Sequence, residues 1–262
     1  ESEALFRGLL ESAPDAVDRW FTDAYKEWIP KDFQCLDCGG EEFVQGTDIL
    51  DVWFDSGVSH QAVLARRKEL THPADLYLEG SDQHRGWFQV SLITGAALEG
   101  KAPYRSVLTH GFVVDGQGRK MSKSLGNVMA PQQVISQSGA DVLRLWVASS
   151  DYAEDVRLSP EILAQVSETY RKIRNTLRYC LANVFDYVPS DLISKKDLMR
   201  SLDRWILSEL GSLVDQVTDA YDAYAFHRAV KAIHEFCTVR LSSFYLDVVK
   251  DILYTARPDD PG

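Results

Sequence analysis

The sequence predicts an α/β segment built on parallel strands, followed by an all-helical segment, with the change near residues 150–160. Two observations predict it. The apolar runs "ADLYLEG" (74–80) and "SVLTHGFVV" (106–114) flank the helix-like "WFQVSLITGAALEG" (87–100), the strand–helix–strand order of a βαβ unit. From Ser159 onward, apolar residues recur at helical spacing.

Taken in order, residues 1–46 are mixed. "EALFRGLLESAPDAVDRWFTDAYKEW" reads as short helices broken at Pro14, and "CLDCGG" (35–40) follows. Residues 47–150 alternate short apolar runs with helix-like stretches. The two strand runs read as buried and end in turn residues. The helix between them closes on Gly100. Ser159 is placed to cap the next helix, with Pro160 at its first position. Ile162, Val166, Ile173, Leu177, Leu181 and Val184 mark its apolar stripe. The segments 202–221 and 226–254 repeat the helical texture, with no internal repeat or low-complexity tract.

Length allows one large domain or two ordinary ones, at 262 residues. Apolar residues make up 45% and charged residues 26%, as in ordinary globular chains. No apolar run approaches the ~18–20 residues that span a bilayer. The first residues lack the basic stretch and apolar core of a secretory signal. Four cysteines are too few for a disulfide scaffold. These features predict a cytoplasmic protein with no membrane partner. The net charge of −11 argues against a surface coated for nucleic acid, yet allows a local basic face. Arg171, Lys172, Arg174 and Arg178 form one, either solvated or touching phosphates.

The stretch "DGQGRKMSKSLGN" (115–127) carries chemistry. Lys120, Lys123, Ser122 and Ser124 lie between Gly116 and Gly118 on one side and Gly126 on the other. Lysine is a point donor for phosphate, and glycines let backbone N–H groups approach an anion. A solvated turn is the alternative. Glu79 sits just past "LYL", at the carboxyl end of a parallel strand, where ligands bind in open α/β sheets. Asp82 follows three residues on, where it can face a ligand or cap the next helix. Cys35 and Cys38 form one Cys-x-x-Cys followed by Gly-Gly, which resembles half of a zinc knuckle. A structural zinc takes four ligands, and no histidine nearby completes the set. The expectation is therefore no metal held by this chain alone.

"DVWFDSGVSH" (51–60), "LYLEGSDQHRGWF" (76–88), "VLTHGF" (107–112) and "GRKMSKSLGN" (118–127) occur in that order, with "GADVLRLWVASSDY" (139–152) and "LSSFYLD" (241–247) after them. Together they resemble the class I aminoacyl-tRNA synthetases, in the isoleucine-specific type. The resemblance implies three parts: a connective insertion with the Cys-x-x-Cys pair (1–46), the second half of a Rossmann-type catalytic domain with the lysine loop (47–157), and a helical bundle opening the anticodon-binding region (158–262). The family's His-Ile-Gly-His string does not occur in residues 1–262, nor does its large editing insertion. A piece of a longer enzyme is implied, whose missing partner is the first half of the catalytic domain. The isolated chain is then expected to be inactive. A stand-alone paralogue that binds ATP or tRNA without catalysis is the alternative. Valine or leucine specificity fits the strings less well.

The resemblance also implies roles. Lys120 and Lys123 would hold the triphosphate of ATP, which enters as a substrate with Mg2+. Ser122 and Ser124 would assist. His110 and Gly111 would lie beside the adenine or phosphates, although a histidine at a strand end is often structural. Glu79, Gly80, Asp82 and Gln83 would bind isoleucyl-adenylate. Trp53 and Trp87 would wall the isoleucine side chain, where without the family both would read as core. The partners implied are L-isoleucine, ATP and the isoleucine tRNA.

Overall fold

The computed structural model describes residues 15–185 and 200–256. The helix expected in residues 3–13 lies outside them. The described chain forms two compact units: residues up to Pro73 with Arg85–Pro103, and Ala74–His84 with Tyr104 onward.

The first unit opens with α1 (Ala16–Trp20) and a 3₁₀ turn, Asp23–Trp28. Thr22 caps that turn, its hydroxyl accepting from Ala24 N–H at 3.2 Å. Trp20 packs against Tyr25 and Trp28, with ring centroids 5.9 and 6.4 Å away. Helix α2 (Val52–Gly57) starts at Asp51, whose carboxylate accepts from Trp53 N–H at 2.8 Å. A wide π-type segment, His60–Leu64, follows. Helix α3 (Trp87–Glu99) ends in a left-handed cap at Gly100, as its spacing predicts. Ser91, fully buried on α3, donates to the carbonyl of Gly57 at 3.0 Å. This ties α2 to α3.

In the second unit, β1 (Ala74–Gly80) and β2 (Tyr104–His110) pair in parallel, from Ala74 opposite Tyr104 to Gly80 opposite His110. The parallel pairing is the one expected, but the burial is not. Only Tyr77 and Gly80 are buried in β1, and Leu78 is 52% exposed. None of β2 is fully buried. A sheet of only two strands leaves apolar faces open, where a parallel sheet is ordinarily covered on both.

The run "SVLTHGFVV" is also not one strand. It breaks at Gly111–Phe112 into β2 and β3 (Val113–Asp115), and β3 pairs in parallel with β4 (Val156–Leu158). Gly111 explains the break. Its N–H donates to Tyr152 carbonyl at 2.8 Å, and a side chain there would meet the backbone of Glu154 and Asp155. The chain leaves one pairing partner for another at the residue with no side chain to exclude.

Helices α4 (Pro131–Ser138) and α5 (Ala140–Ser149) follow the lysine loop. Helix α6 (Pro160–Ala182) begins as expected, with Ser159 accepting from Ile162 N–H at 3.3 Å and Pro160 at its first position. Val134, Val142, Trp146, Leu158 and Leu163 form the core of this region. Trp146 Nε1 also donates to the Arg157 carbonyl at 3.1 Å. The stripe expected on α6 holds over its first half, where Ile162 and Val166 pack on this core. It fails beyond, where Leu177, Leu181 and Val184 are 52%, 68% and 51% exposed. The buried residue there is Thr176, whose hydroxyl contacts Ser242 Oγ at 2.8 Å. Helix α7 (Ser201–Asp222), α8 (Phe226–Glu235), a π-type segment (Phe236–Tyr245) and α9 (Leu246–Thr255) complete the helical part.

Candidate functional site

The carboxyl ends of β1 and β2 bring four predicted residues together. Glu79 and Gly80 lie opposite Thr109 and His110 in register. His110 Nε2 is 3.7 Å from Glu79 Oε1, and its Nδ1 is 2.8 Å from the Gly111 carbonyl. Glu79 Oε1 also accepts from Gly80 N–H at 3.1 Å. A Cβ at Gly80 would stand 2.7 Å from Asp82 Oδ1, so the Asp82 carboxylate would have to shift to admit one, and 3.9 Å from His110 Cε1. Asp82 and Gln83 lie on a 3₁₀ turn, Ser81–Arg85, that follows β1 directly. Gln83 Nε2 donates to Asp82 Oδ2 at 3.3 Å. Asp82 therefore turns toward the strand end. The result is an open cluster with two carboxylates, an amide and an imidazole, suited to a ligand bearing an ammonium and hydroxyl groups.

The lysine loop is built from Asp115 at the end of β3. Asp115 is 8% exposed. Its Oδ1 accepts from the backbone N–H of Gln117 and Arg119 at 3.0 and 2.9 Å. Its Oδ2 accepts from Asn127 Nδ2 at 3.0 Å and from the Arg119 guanidinium at 2.9 and 2.8 Å. The Asn127 amide, then the Arg119 N–H, hold this carboxyl well below the usual range. Met121 packs against the core around Val134 and Trp146, while Lys120 and Lys123 on either side are exposed. Ser122 Oγ accepts from Leu125 N–H at 3.3 Å and contacts Ser124 Oγ at 3.1 Å, capping a short 3₁₀ turn, Lys123–Leu125. Asp115, Met121 and Asn127 were not among the residues that the sequence marks. Their signal is the alternation in "KMSK", one apolar residue between cations, and the turn-forming types at each end.

Trp53 and Trp87 belong to the first unit. Trp53 is 42% exposed on α2, and Trp87 packs on Phe88 at the start of α3, with centroids 5.4 Å apart. The Cys35–Gly40 turn closes by Cys35 N–H to Gly40 carbonyl at 2.9 Å and Gly39 N–H to Cys35 carbonyl at 2.8 Å. Backbone N–H groups of Cys38 and Asp37 lower the Cys35 thiol pKa. That suits a thiolate ligand, but among the described residues no third histidine, cysteine or carboxylate joins this pair. Cys180 and Cys237 lie elsewhere, both with thiol pKa raised by burial. Arg171 pairs with Glu168, whereas Lys172, Arg174 and Arg178 are exposed with no salt-bridge partner among the described residues.

Residues 7–159 match the family model "tRNA synthetases class I (I, L, M and V)", and residues 203–261 match "Anticodon-binding domain of tRNA ligase". The chain is 58% identical over 236 residues to the isoleucine–tRNA ligase of Moorella thermoacetica, covering 90% of this chain and 25% of that one. It is 56% identical over 239 residues to the same ligase of Caldanaerobacter subterraneus subsp. tengcongensis, covering 91% and 25%. It thus spans about a quarter of the length of these curated relatives. Among solved structures it is similar to LeuRS in a ternary complex with tRNA and LeuAMS from Agrobacterium radiobacter K84, with a TM-score of 0.69 and 21% identity over 87% of this chain and 30% of that one. It is also similar to Mycobacterium tuberculosis methionyl-tRNA synthetase in complex with methionyl-adenylate, with a TM-score of 0.56 and 24% identity over 69% and 35%. At these identities the structural likeness concerns the fold.

Proposed function

Since the chain belongs to the class I tRNA synthetase family, we propose that it supplies the lysine-loop half of an adenylate-forming site in an isoleucine–tRNA ligase. The observation that carries this reading is the loop itself: Lys120 and Lys123 stand exposed on either side of core-packed Met121, on a backbone fixed at both ends. In the reaction, a carboxylate oxygen of L-isoleucine attacks the α-phosphorus of ATP. The bond from that phosphorus to the bridging oxygen of the β-phosphate breaks, and pyrophosphate leaves. Charge builds on the departing phosphates, where two ammonium groups carried on a fixed backbone are most effective. ATP brings Mg2+ with it as substrate. Glu79 would take the ammonium of isoleucine. Gly80, Asp82, Gln83, His110 and Gly111 would surround the adenylate, and Trp53 and Trp87 would wall the side chain.

The three-part division at residues 46 and 157 is part of the proposal. The exposed face of Lys172, Arg174 and Arg178 would meet tRNA phosphates. Cys35 and Cys38 are two of the four ligands that a structural zinc takes, and the reading stays that this chain alone holds no metal. No helix among the described residues is long and apolar enough to cross a membrane, and cytoplasmic location is proposed. The test is amino-acid-dependent pyrophosphate exchange by the full-length protein that carries this chain. Isoleucine should support exchange more efficiently than valine, leucine or methionine. Preference for another of the four would overturn the specificity, and no exchange with any of them would favour a non-catalytic binding paralogue.

A further inference from the structure

We infer that Asp115 and Asn127 form a positioning strut that fixes the backbone under Lys120 and Lys123 while leaving both ammonium groups free for phosphate. The inference rests on the proposed role of those lysines.

A flexible loop that carries cations beside a carboxylate invites a simple failure: the acid captures a lysine. Asp115 lies five positions before Lys120 in an acidic chain. Its capture is prevented by saturation. A carboxylate has about four acceptor positions. Here the N–H groups of Gln117 and Arg119 occupy Oδ1, and Asn127 Nδ2 with the Arg119 guanidinium occupies Oδ2. Neither Lys120 nor Lys123 has an ion-pair partner among the described residues, while Arg119 is held by Asp115 at 2.8 Å.

Asn127 extends the strut to the far side of the loop. Its Oδ1 accepts from Ser122 N–H at 2.9 Å, and its Nδ2 also reaches the Lys120 carbonyl at 3.3 Å. One side chain thus touches Asp115, the backbone of Lys120 and the backbone of Ser122. An amide is the group for this task. It donates to the carboxylate and accepts from the N–H at once, and it carries no charge to draw either lysine inward. An aspartate at 127 would keep the acceptor but place a second carboxylate against Asp115. Val114 and Lys120 also meet in an antiparallel bridge, and Asp115 N–H donates to the Arg119 carbonyl at 2.9 Å. The anchoring contacts fall on residues 114–122 and 127. Fixing the lysines' backbone in advance removes the ordering step that would otherwise oppose their action on the leaving phosphates.

The test uses isoleucine-dependent pyrophosphate exchange in the full-length protein. Asn127→Ala should lower kcat by ~10–100-fold, short of the ~10²–10³-fold for removing a transition-state donor outright, with the KM for isoleucine unchanged. Because it acts through the lysines, the same change in a Lys123→Ala background should add less than about 3-fold, the non-additivity of coupled sites. Asn127→Asp should slow exchange similarly, and adding Asp115→Asn should recover part of the loss by restoring a donor–acceptor pair. This arm serves if the alanine variant melts early. If Lys123→Ala leaves exchange unchanged, the phosphate reading falls and this inference with it. If Lys123→Ala slows exchange but Asn127→Ala does not, or if the two losses multiply, this inference alone is overturned.

Discussion

The buried imidazole of His60 lies parallel to that of His72, with ring centroids 5.6 Å apart and 11° between their planes. His72 Nε2 meets Glu99 Oε1 at 2.8 Å, and Glu99 also receives Gln61 and Lys101. The Thr94 hydroxyl donates to Val90 carbonyl at 2.8 Å and meets His60 Nε2 at 3.0 Å. His60 Nδ1 is buried with no hydrogen-bond partner among the described residues. Burial first, then His72, hold the His60 pKa below its ordinary 6.5.

The pH dependence follows from the sign of that shift. The folded state binds the His60 proton less readily than the unfolded chain, so stability is lost as pH falls below about 6.5. Glu99, lowered by His72 and then Gln61, adds a further loss below its ordinary 4.5. Amide exchange across His60–Leu64 and α3 should therefore accelerate, after correction for intrinsic rates, between about pH 7 and 5. His60→Gln should flatten the profile. A wild-type profile already flat over that interval would contradict the account.

Gly111→Ala should destabilise the break between β2 and β3. The added Cβ would stand 2.7 Å from Asp155 N and closer still to the Glu154 carbonyl. Both are backbone atoms, so no side chain can swing away, and a cost of about 1–3 kcal/mol is expected, as for other overpacked sites. Urea denaturation should show an earlier midpoint with an unchanged slope. An unshifted midpoint would show that the strands adjust freely.

Glu79→Gln keeps the shape of the strand end and removes its charge. Isoleucine should bind the full-length protein more weakly, by ~10-fold, as for one lost charge-assisted hydrogen bond. Calorimetry is the direct measure. Equal affinity would remove Glu79 from the ammonium site.

Trp87→Ala should reduce the efficiency ratio between isoleucine and valine. One methylene is worth only ~1–3 kcal/mol in an apolar pocket, and this ligase family is the standard instance. The margin therefore depends on a wall that fits closely. An unchanged ratio from pyrophosphate exchange would make Trp87 a packing residue.

What the sequence makes legible here is mostly local. Gly100 and the pair Ser159–Pro160 declare their helix ends because capping is decided within a few residues. The parallel pairing of β1 and β2 follows from strand–helix–strand order. Burial does not, because it depends on what covers the strands: Leu78 is apolar yet half exposed. The second half of α6 departs from its hydrophobic period for a related reason. Its core position goes to Thr176, which satisfies its hydroxyl against Ser242, and hydrophobic periodicity cannot weight such a bond. The two lysines stand out in "KMSKS" as residues, but the Asp115–Asn127 link does not. It joins residues twelve positions apart through a turn whose geometry single-residue preferences do not specify.

The central claim is that Lys120 and Lys123 act on the phosphates of ATP, and Lys123→Ala in the full-length protein tests it most directly. Isoleucine-dependent pyrophosphate exchange should fall ~10²–10³-fold, the effect of losing one fixed transition-state donor. Isoleucine binding measured by calorimetry should hold, and the melting temperature should stay put, since the side chain is exposed. An exchange rate equal to that of the unmodified protein would contradict the account, leaving the loop a solvated turn.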